Sequence, residues 1–566
     1  MTLLGLEWSA TVPGLRLDRM LHNGYQSWSY AGFQPVPATL AETDGPPSDG
    51  GNNEDTLGEV PGVSWWWSAL SNADGVGMVV GASGGTVLKT RVSADGVQTP
   101  RVRITQGLTG DEIVLAPGES KVLDGLYLSL GKVSEELDAY TSYVASLHAA
   151  RRALKPALGG WGSWNMYYAS PTAAAIRAEA SWAAANLVPL GLTDFLLDDG
   201  YETRWGSWQA APSFGADLAV LNEEQRSVGL RPAVWMAPFY VAMEDPLLGL
   251  HPDWFVRRRD GALRSFNNFG PTYAALDVSS AGAREFVAAA VKKFWTDGYR
   301  TLKVDFLFGG ALEAPRTPAL TSLEAYQNWM LVIRNAAPEM HLVGCGAPLL
   351  PSVGWVDSMR VGADVAFSVA PAPKYVFSVA QARQTVMRAA TDNLWRLDPD
   401  VVLLRGSGLS DVEAWTTVVS NALSGGNYLL GDARQAGELR TKMALSSQIL
   451  ELSRDGVAAR AVDFVSEPDS RLYSSPLLFP QGGTSVPHVW KKRAANGKRN
   501  WIALFAWESE GYRAELSLPQ GAVEVVAPGV NTNSAGARLV PQGGGTFEVP
   551  LHGVRLFAFE AEVGKP

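Results

Sequence analysis

Cysteine and histidine are scarce in this chain of 566 residues. Cys345 is the single cysteine, so an intrachain disulfide is excluded. The six histidines are scattered, with no His-Glu-x-x-His pattern and no cysteine pair, so the sequence indicates no zinc site. No Walker sequence occurs either. The sequence therefore favours carboxylates as acid–base groups.

Basic charge and long apolar runs are also lacking. The net charge of -10 and the pI near 5.3 argue against a nucleic-acid partner. No uninterrupted apolar run reaches the roughly 18 residues of a membrane span. The stretch Met1–Trp8 shows no basic region before an apolar one, so we expect no signal peptide and a cytoplasmic location. In contrast, the 20 tryptophans are many, and their flat faces suit the CH groups of a sugar.

The length of the chain predicts two to four domains, and the pattern of predicted secondary structure changes twice along it. Residues 1–153 read as a mostly β N-terminal domain that ends in a connecting helix, Ser134–Ala153. Residues 154–456 alternate short apolar strands with Ala-rich helices such as Ala283–Thr296 and Gly437–Arg454. Residues 457–566 return to an antiparallel β pattern, with a hairpin over Val489–Trp507 that turns at Asn496 and Gly497.

The middle region predicts a (β/α)8 barrel, whose active site would lie at the carboxyl ends of the strands. An open doubly wound sheet is the alternative, but no Gly-rich phosphate loop follows the first strand. The predicted strands are Gly160–Trp164, Asp194–Asp198, Arg231–Met236, Thr301–Phe306, His341–Gly344, Ser358–Val361, Val401–Arg405 and Asn427–Leu430.

Two charges interrupt the predicted strand Thr301–Phe306. Lys303 and Asp305 are two residues apart, so their side chains leave the same face of a strand. A buried structural ion pair would explain them, but such pairs give little net stability. The functional alternative is a nucleophilic Asp305 that the ammonium of Lys303 keeps ionised.

Other polar or aromatic residues stand at neighbouring strand ends. Asp198 and Asp199 close the second strand; they could form a turn or bind sugar hydroxyls. Trp235 lies in the third strand as either a core residue or a stacking platform. Asp364 follows the sixth strand, with Arg360 four residues earlier, and Asp357 lies at that strand's amino end, where residues serve stability. Asp364 is therefore the preferred second carboxylate.

The motifs together resemble glycoside hydrolase family 36, the α-galactosidases of clan D. The resemblance covers the barrel and extends to His22–Trp28, which looks like part of the family's N-terminal β-sandwich. The matching segments are Trp161–Trp164, Leu197–Gly200, Pro232–Pro238, Lys303–Asp305, Cys345–Pro348, Arg360–Asp364 and Ser424–Gly426.

The resemblance implies a retaining hydrolysis of terminal α-D-galactosyl groups of small galactosides such as melibiose and raffinose. Asp305 would be the nucleophile and Asp364 the acid/base. Asp198 and Asp199 would bind the 4- and 6-hydroxyls, and Lys303 and Arg360 other hydroxyls. Trp235 would pack on the sugar ring, Cys345 and Gly346 would line the 2-hydroxyl side, and Trp65, Trp66 or Trp67 would reach the pocket rim. No cofactor or metal is implied, and a homo-oligomer is expected.

Two departures from the family pattern concern substrate contacts. Many members have Trp-x-Glu-Pro where this chain has Trp235–Pro238, and many have an Arg within the segment that here reads Gly270–Asp277. The alternatives are a galactosyltransferase of the raffinose-synthase type, an α-N-acetylgalactosaminidase and a non-catalytic galactoside-binding protein. The last would have no need of two carboxylates.

Overall fold

The computed structural model describes residues 2–14, 16–40, 62–152, 154–268, 270–366, 374–405, 408–462, 486–507, 511–528, 537–540 and 543–561.

The first part of the chain forms two packed antiparallel sheets. In the described ranges, one sheet has the strand order Leu126–Lys132, Val76–Ala82, Trp67–Ser71, Arg19–Asn23 and Ala31–Pro35. The other has the order Gly5–Thr11, Arg101–Gly107, Thr90–Asp95 and Val63–Trp65. The short strands Thr2–Leu3 and Ile113–Val114 pair separately. Alternate residues such as Met78, Val80, Val92 and Ile104 face each other and form a buried apolar cluster. This arrangement is a β-sandwich.

The connecting helix is Val133–Leu147, shorter than predicted at its carboxyl end. It packs on the sandwich, and the buried hydroxyl of Tyr140 donates to the carbonyl of Ala82 over 2.7 Å. The helix thus leads the chain from the sandwich to the barrel.

The middle region is a parallel barrel. Within the described residues its strands are Gly159–Gly162, Asp194–Leu197, Arg231–Met236, Thr301–Val304, His341–Gly344, Ser358–Arg360, Arg396–Asp398 and Tyr428–Leu430. The last strand pairs with the first. Closure between the seventh and eighth strands comes from the amide of Asn427, which donates to the carbonyl of Leu397 over 2.7 Å.

The seventh strand corrects the prediction of Val401–Arg405. Pro399 has no N–H to donate, and Asp400 has a left-handed backbone with φ of +64°, so the strand ends at Asp398. The apolar run that follows is buried, with Val401 and Leu403 packed near Leu429, but it forms only an isolated bridge between Val402 and Leu430. The apolar composition of Val401–Arg405 therefore indicated a buried segment correctly, but this segment is not the seventh strand.

Helices surround the barrel. Those described are Trp164–Tyr167, Ala173–Asn186, Leu218–Ser227, Leu247–Leu250, Ala281–Thr296, Ser322–Ala336, Lys374–Met387, Asp411–Ala422, Glu438–Ala444 and Ser447–Arg454. The predicted helix Gly437–Arg454 is two helices, because Ser446 takes an extended backbone conformation between them. Capping boxes at Thr321 with Glu324 and at Ser410 with Glu413 fix two helix starts. A small antiparallel sheet, Tyr240–Ala242, Thr272–Ala275 and Ser265–Asn267, follows the third barrel strand.

The last part of the chain is antiparallel. One sheet has the described order Arg460–Ala461, Val489–Arg493, Arg499–Phe505, Val554–Glu560, Val523–Val525 and Ala537–Leu539, and Tyr512–Leu518 pairs with Gly543–Val549. The predicted hairpin is present, and Gly497 turns it with φ of +69°.

The central barrel with β structure on both sides confirms the predicted fold class. The domain boundaries after residues 153 and 456 stay predictions. In the described part of the chain, no helix combines the length and the apolar character that crossing a membrane requires.

Candidate active site

Lys303 and Asp305 lie together at the carboxyl end of the fourth barrel strand. The amide of Asp305 donates to the carbonyl of Met236 over 2.9 Å, which extends the pairing of the third and fourth strands by one residue. The Nζ of Lys303 donates to Oδ2 of Asp198 over 2.8 Å and lies 3.8 Å from Oδ2 of Asp305. Strand alternation therefore brings one ammonium between two carboxylates.

Burial opposes the charge of Lys303 and is the largest single effect, but the neighbouring groups led by Asp198, with Asp305 among them, together outweigh it and hold the pKa of Lys303 well above its ordinary value. The side chain remains an ammonium at neutral pH. It stabilises negative charge on both neighbouring carboxylates.

Asp305 is held by donors on both oxygens. The indole Nε1 of Trp235 donates to Oδ2 over 3.0 Å, and the amide of Phe306 donates to Oδ1 over 2.8 Å. Phe306 has φ of +53°, so the chain turns sharply just after the carboxylate. Trp235 is itself buried, and its indole N–H contacts the carboxylate of Asp305 directly.

Asp198 and Asp199 follow the end of the second strand. The amide of Asp198 donates to Oγ of Ser163 over 2.8 Å, and the amide of Asp199 donates to Oδ1 of Asp198 over 3.0 Å. The carboxylate of Asp199 accepts from Nε1 of Trp205 over 3.1 Å. Burial raises the pKa of both carboxyl groups, against the opposing effect of Lys303 on Asp198. Because the strand has ended, its alternation no longer separates their side chains.

Arg360 and Asp364 form the second carboxylate arrangement, at the end of the sixth strand. Nη2 of Arg360 donates to Oδ1 of Asp364 over 2.8 Å and to Oδ2 of Asp400 over 3.1 Å. The side chain of Asp364 is 27% exposed, against 8% for Asp305. Asp364 is therefore the more solvent-accessible of these two carboxylates.

Asp357 lies at the opposite end of the same strand. Its fully buried carboxylate pairs with Arg151 at 2.9 Å and with Arg334 at 2.7 Å and accepts from the amide of Leu342. Asp357 therefore links the segment after the connecting helix, the barrel helix Ser322–Ala336 and the fifth strand. The preference for Asp364 over Asp357 as the site carboxylate fits this geometry.

Cys345 and Gly346 form a wall near Arg360. Nη1 of Arg360 lies 3.6 Å from Sγ of Cys345. Burial, with help from Asp305, raises the pKa of this thiol well above its ordinary value, so it is a neutral group. A Cβ on Gly346 would lie 3.0 Å from Cα of Phe306 and 3.2 Å from the indole of Trp28. Only glycine fits this close approach.

The tryptophan triplet Trp65, Trp66 and Trp67 packs against other residues of the first part of the chain. Trp66 and Trp67 are buried, and Nε1 of Trp66 donates to the carbonyl of Tyr25 over 2.7 Å. Trp65 packs against the ring of Tyr25, with 5.0 Å between ring centroids. Trp66 and Trp67 are thus core residues, whereas Trp65 is half-buried, with the guanidinium of Arg91 over its ring.

Trp28, which the sequence analysis missed as a site residue, reaches the barrel. Its Nε1 donates to Sγ of Cys345 over 3.1 Å, and its ring packs edge-on against Phe306 with centroids 5.0 Å apart. Trp28 ends the His22–Trp28 segment that resembles the family, and this position was the available sequence signal. Asp400 and Trp205 were also missed. The available signal for Asp400 was a carboxylate next to an apolar run, as it was for Asp305.

A buried ammonium between carboxylates, and a second, more exposed carboxylate at the same end of a (β/α)8 barrel, are typical of the glycoside hydrolase class. A scan against models of known protein families found no match.

Comparison with solved structures identifies the kind of fold. An α-galactosidase from Thermus thermophilus in complex with p-nitrophenyl α-D-galactopyranoside is 25% identical, with a TM-score of 0.62 over 79% of this chain and 89% of that chain. The family 36 α-galactosidase AgaA from Geobacillus stearothermophilus in complex with raffinose is 16% identical, with a TM-score of 0.62 over 97% of this chain and 76% of that one. An α-galactosidase from Lactobacillus brevis is 14% identical, with a TM-score of 0.66 over 99% and 75%. This chain has the α-galactosidase-like fold of glycoside hydrolase family 36.

Proposed function

We propose that this chain is a retaining α-galactosidase that removes terminal non-reducing α-D-galactosyl groups from small galactosides of the melibiose and raffinose type. The observation that carries the proposal is the arrangement of Asp305, between Lys303 and Trp235, at the same barrel end as Asp364. The similarity to solved α-galactosidases supports the enzyme class.

In the proposed first step, an oxygen of Asp305 attacks the anomeric carbon as the glycosidic oxygen leaves with its bonding electrons. Asp364 donates its proton to that oxygen, so the aglycone departs as a neutral alcohol. The galactosyl group is then esterified to Asp305. Lys303 and the indole of Trp235 fit this step, because both stabilise the carboxylate before attack and after release.

In the second step, Asp364 removes a proton from water, and the water oxygen attacks the anomeric carbon. The bond to Asp305 breaks, and α-galactose leaves with its configuration retained after two inversions. No cofactor enters the reaction. Retention requires the two carboxyl groups to be about 5 Å apart.

The sugar-binding residues in the proposal are those that surround Asp305. Asp198 and Asp199 would accept hydrogen bonds from the 4- and 6-hydroxyls, with Lys303 and Arg360 as donors to other hydroxyls. Trp235 would pack on the ring, and Cys345 and Gly346 would lie near the 2-hydroxyl. We replace the triplet Trp65, Trp66 and Trp67 with Trp28 as the tryptophan contributed by the sandwich, on the contact between Trp28 and Cys345.

The test is an NMR time course with p-nitrophenyl α-galactoside, run beside the α-N-acetylgalactosaminide and the α-glucoside. We expect early release of α-galactose, with the other two substrates inert. Preferential cleavage of the N-acetylgalactosaminide would reassign the substrate, early β-galactose would contradict retention, and no reaction with any galactoside, melibiose included, would contradict the proposal. Asp305→Ala, purified in the same way, controls for contaminating activity.

A product assay with sucrose present distinguishes hydrolysis from transfer. A hydrolase gives mainly free galactose, whereas a raffinose-synthase type of enzyme gives mainly a galactosylated sucrose. The proposal also includes a cytoplasmic location and a homo-oligomer, which cell fractionation and analytical ultracentrifugation would test.

A further inference from the structure

Asp400 has an unusual backbone for an aspartate. It follows the seventh barrel strand at the same end as Asp305 and Asp364, it is buried, and its φ is +64°. A residue other than glycine in this left-handed region of backbone conformation carries strain, which persists only where the surroundings fix the conformation.

Two hydrogen bonds fix this conformation. The amide of Asp400 donates to Oδ1 of Asp398 over 3.1 Å, and the carbonyl of Asp400 accepts from Nδ2 of Asn421 over 3.1 Å. The side chain therefore leaves a backbone that is held on both sides. Its direction is set before any substrate binds.

The carboxylate of Asp400 contacts two groups beside Asp364, the guanidinium of Arg360 and the backbone amide of Val365. Its Oδ2 accepts from Nη2 of Arg360 over 3.1 Å and from the amide of Val365 over 2.9 Å. The same Nη2 donates to Asp364 over 2.8 Å, and Val365 is the residue that follows Asp364. One oxygen thus anchors the side-chain partner of Asp364 and the backbone beside it.

We propose that Asp400 is a positioning residue for Asp364, fixing the acid/base where it can protonate the leaving oxygen. The inference rests on the proposed function and deepens it. Asp400 itself touches no reacting atom.

Sharing the guanidinium also divides the positive charge of Arg360 between two carboxylates. Asp400 takes part of the same donor and adds a negative charge nearby. The other groups that face this pair are Cys345 and Tyr168 towards Asp364, and Asp398 and Lys303 towards Arg360 and Asp400.

The test compares Asp400→Asn with wild type on two substrates. Asparagine tolerates a left-handed backbone and keeps an acceptor for the amide of Val365, but it has no charge for Arg360. We expect kcat/KM to fall about 10- to 100-fold more on melibiose, which needs the proton, than on p-nitrophenyl α-galactoside. The alkaline limb of the melibiose pH profile should move to lower pH by about one pH unit.

Asp357→Asn is the matched control, because Asp357 is also a buried strand-end carboxylate that accepts from arginine and a backbone amide. It should lower the melting temperature while keeping the wild-type ratio of the two kcat/KM values and the wild-type pH profile. Equal losses on both substrates for Asp400→Asn, with an unchanged profile, would show a structural ion pair and overturn the inference.

If Asp400→Asn does not fold, Asn421→Ala provides the same measurement, because it removes the bond to the carbonyl of Asp400 and leaves the carboxylate in place. A smaller selective loss on melibiose is expected, and a wild-type ratio would overturn the inference. Wild type tested first separates the two proposals: an inactive wild type rejects the function, whereas an active wild type with an unselective Asp400→Asn rejects only the positioning role.

Discussion

The charge on Lys303 sets what its two neighbouring carboxylates can do. The ammonium binds Asp198 at 2.8 Å and stands 3.8 Å from Asp305, so one buried cation supports both the carboxylate proposed to bind the sugar and the proposed nucleophile. Removing a partner from such a group leaves an uncompensated buried charge. Folding must therefore be measured together with activity for every mutation in this cluster.

Asp305→Ala should abolish hydrolysis, because no other oxygen replaces the nucleophile. Added azide should restore turnover and give β-galactosyl azide, since the small anion enters from the face that the carboxylate occupied. NMR of the product shows its configuration. A β-azide from Asp364→Ala instead would mean that the two roles are exchanged, and substantial activity of Asp305→Ala without azide would reject the nucleophile.

Asp364→Ala should lose activity according to the leaving group. Melibiose needs a proton on its departing oxygen, so kcat/KM should fall by about 100-fold or more, whereas the acidic nitrophenol leaves with little help. Initial rates at low substrate concentration measure both values. Equal losses on the two substrates would contradict the acid role.

At the scale of elements, the segment Asn23–Tyr30 of the sandwich is tied to the barrel by Arg388. The buried guanidinium donates to Oδ1 of Asn23 and to the carbonyls of Ser27, Ser29 and Val361 over 2.8 to 3.0 Å. Gln384, one helical turn earlier, donates to the carbonyl of Ser29 over 2.9 Å. These bonds lie on both sides of Trp28 and fix its approach to Cys345.

Arg388→Gln should therefore raise the KM for galactosides by about tenfold through misplacement of Trp28, with a smaller effect on kcat. It should also destabilise the fold by about 2–3 kcal/mol, because buried carbonyls lose their donor. Steady-state kinetics and urea unfolding measure the two effects.

The control is Arg334→Gln, which removes a similar set of bonds at the amino end of the barrel. It should lose stability but keep the wild-type KM. A raised KM in both variants would indicate general loosening rather than displacement of Trp28.

The sequence predicted the fold well where local patterns decide it. Apolar runs located strands such as Thr301–Val304, and charges within those runs located Lys303 and Asp305. The seventh strand failed because Pro399 and the left-handed Asp400 end it before the apolar run begins. Trp28 escaped as a site residue because its partner Cys345 is distant in the chain. Asp400 escaped because the apolar run Val401–Arg405 predicts a strand with Asp400 at its amino end, whereas the strand in fact ends before Asp400.

At the scale of the whole molecule, buried titratable groups make stability depend on pH. Burial lowers the pKa of His341 to about 4, against the opposing effect of Asp357, and Nε2 lies 2.7 Å from Oγ of Ser358. The folded protein therefore keeps this imidazole neutral. The unfolded chain protonates it below about pH 6.5, so its contribution to stability is present above that pH and is lost as the pH falls towards 4.

Wild type should lose about 2 kcal/mol through His341 between pH 7 and pH 5, and His341→Gln should not have this loss. Burial raises the pKa of Asp111 and Asp398 to about 6, which acts in the opposite direction, because their contribution is lost as the pH rises through 6. Comparing the variant with wild type at both pH values by urea unfolding isolates the histidine. Equal losses in both proteins would contradict a neutral buried His341.

The contact between Trp28 and Cys345 makes the proposed sugar pocket a joint product of two parts of the chain. The proposed catalytic carboxylates follow barrel strands, whose geometry tolerates little change, whereas Trp28 belongs to a turn between two sandwich strands. Evolution can therefore alter the fit around the sugar by exchanging residues in that turn, while the barrel and its chemistry stay as they are.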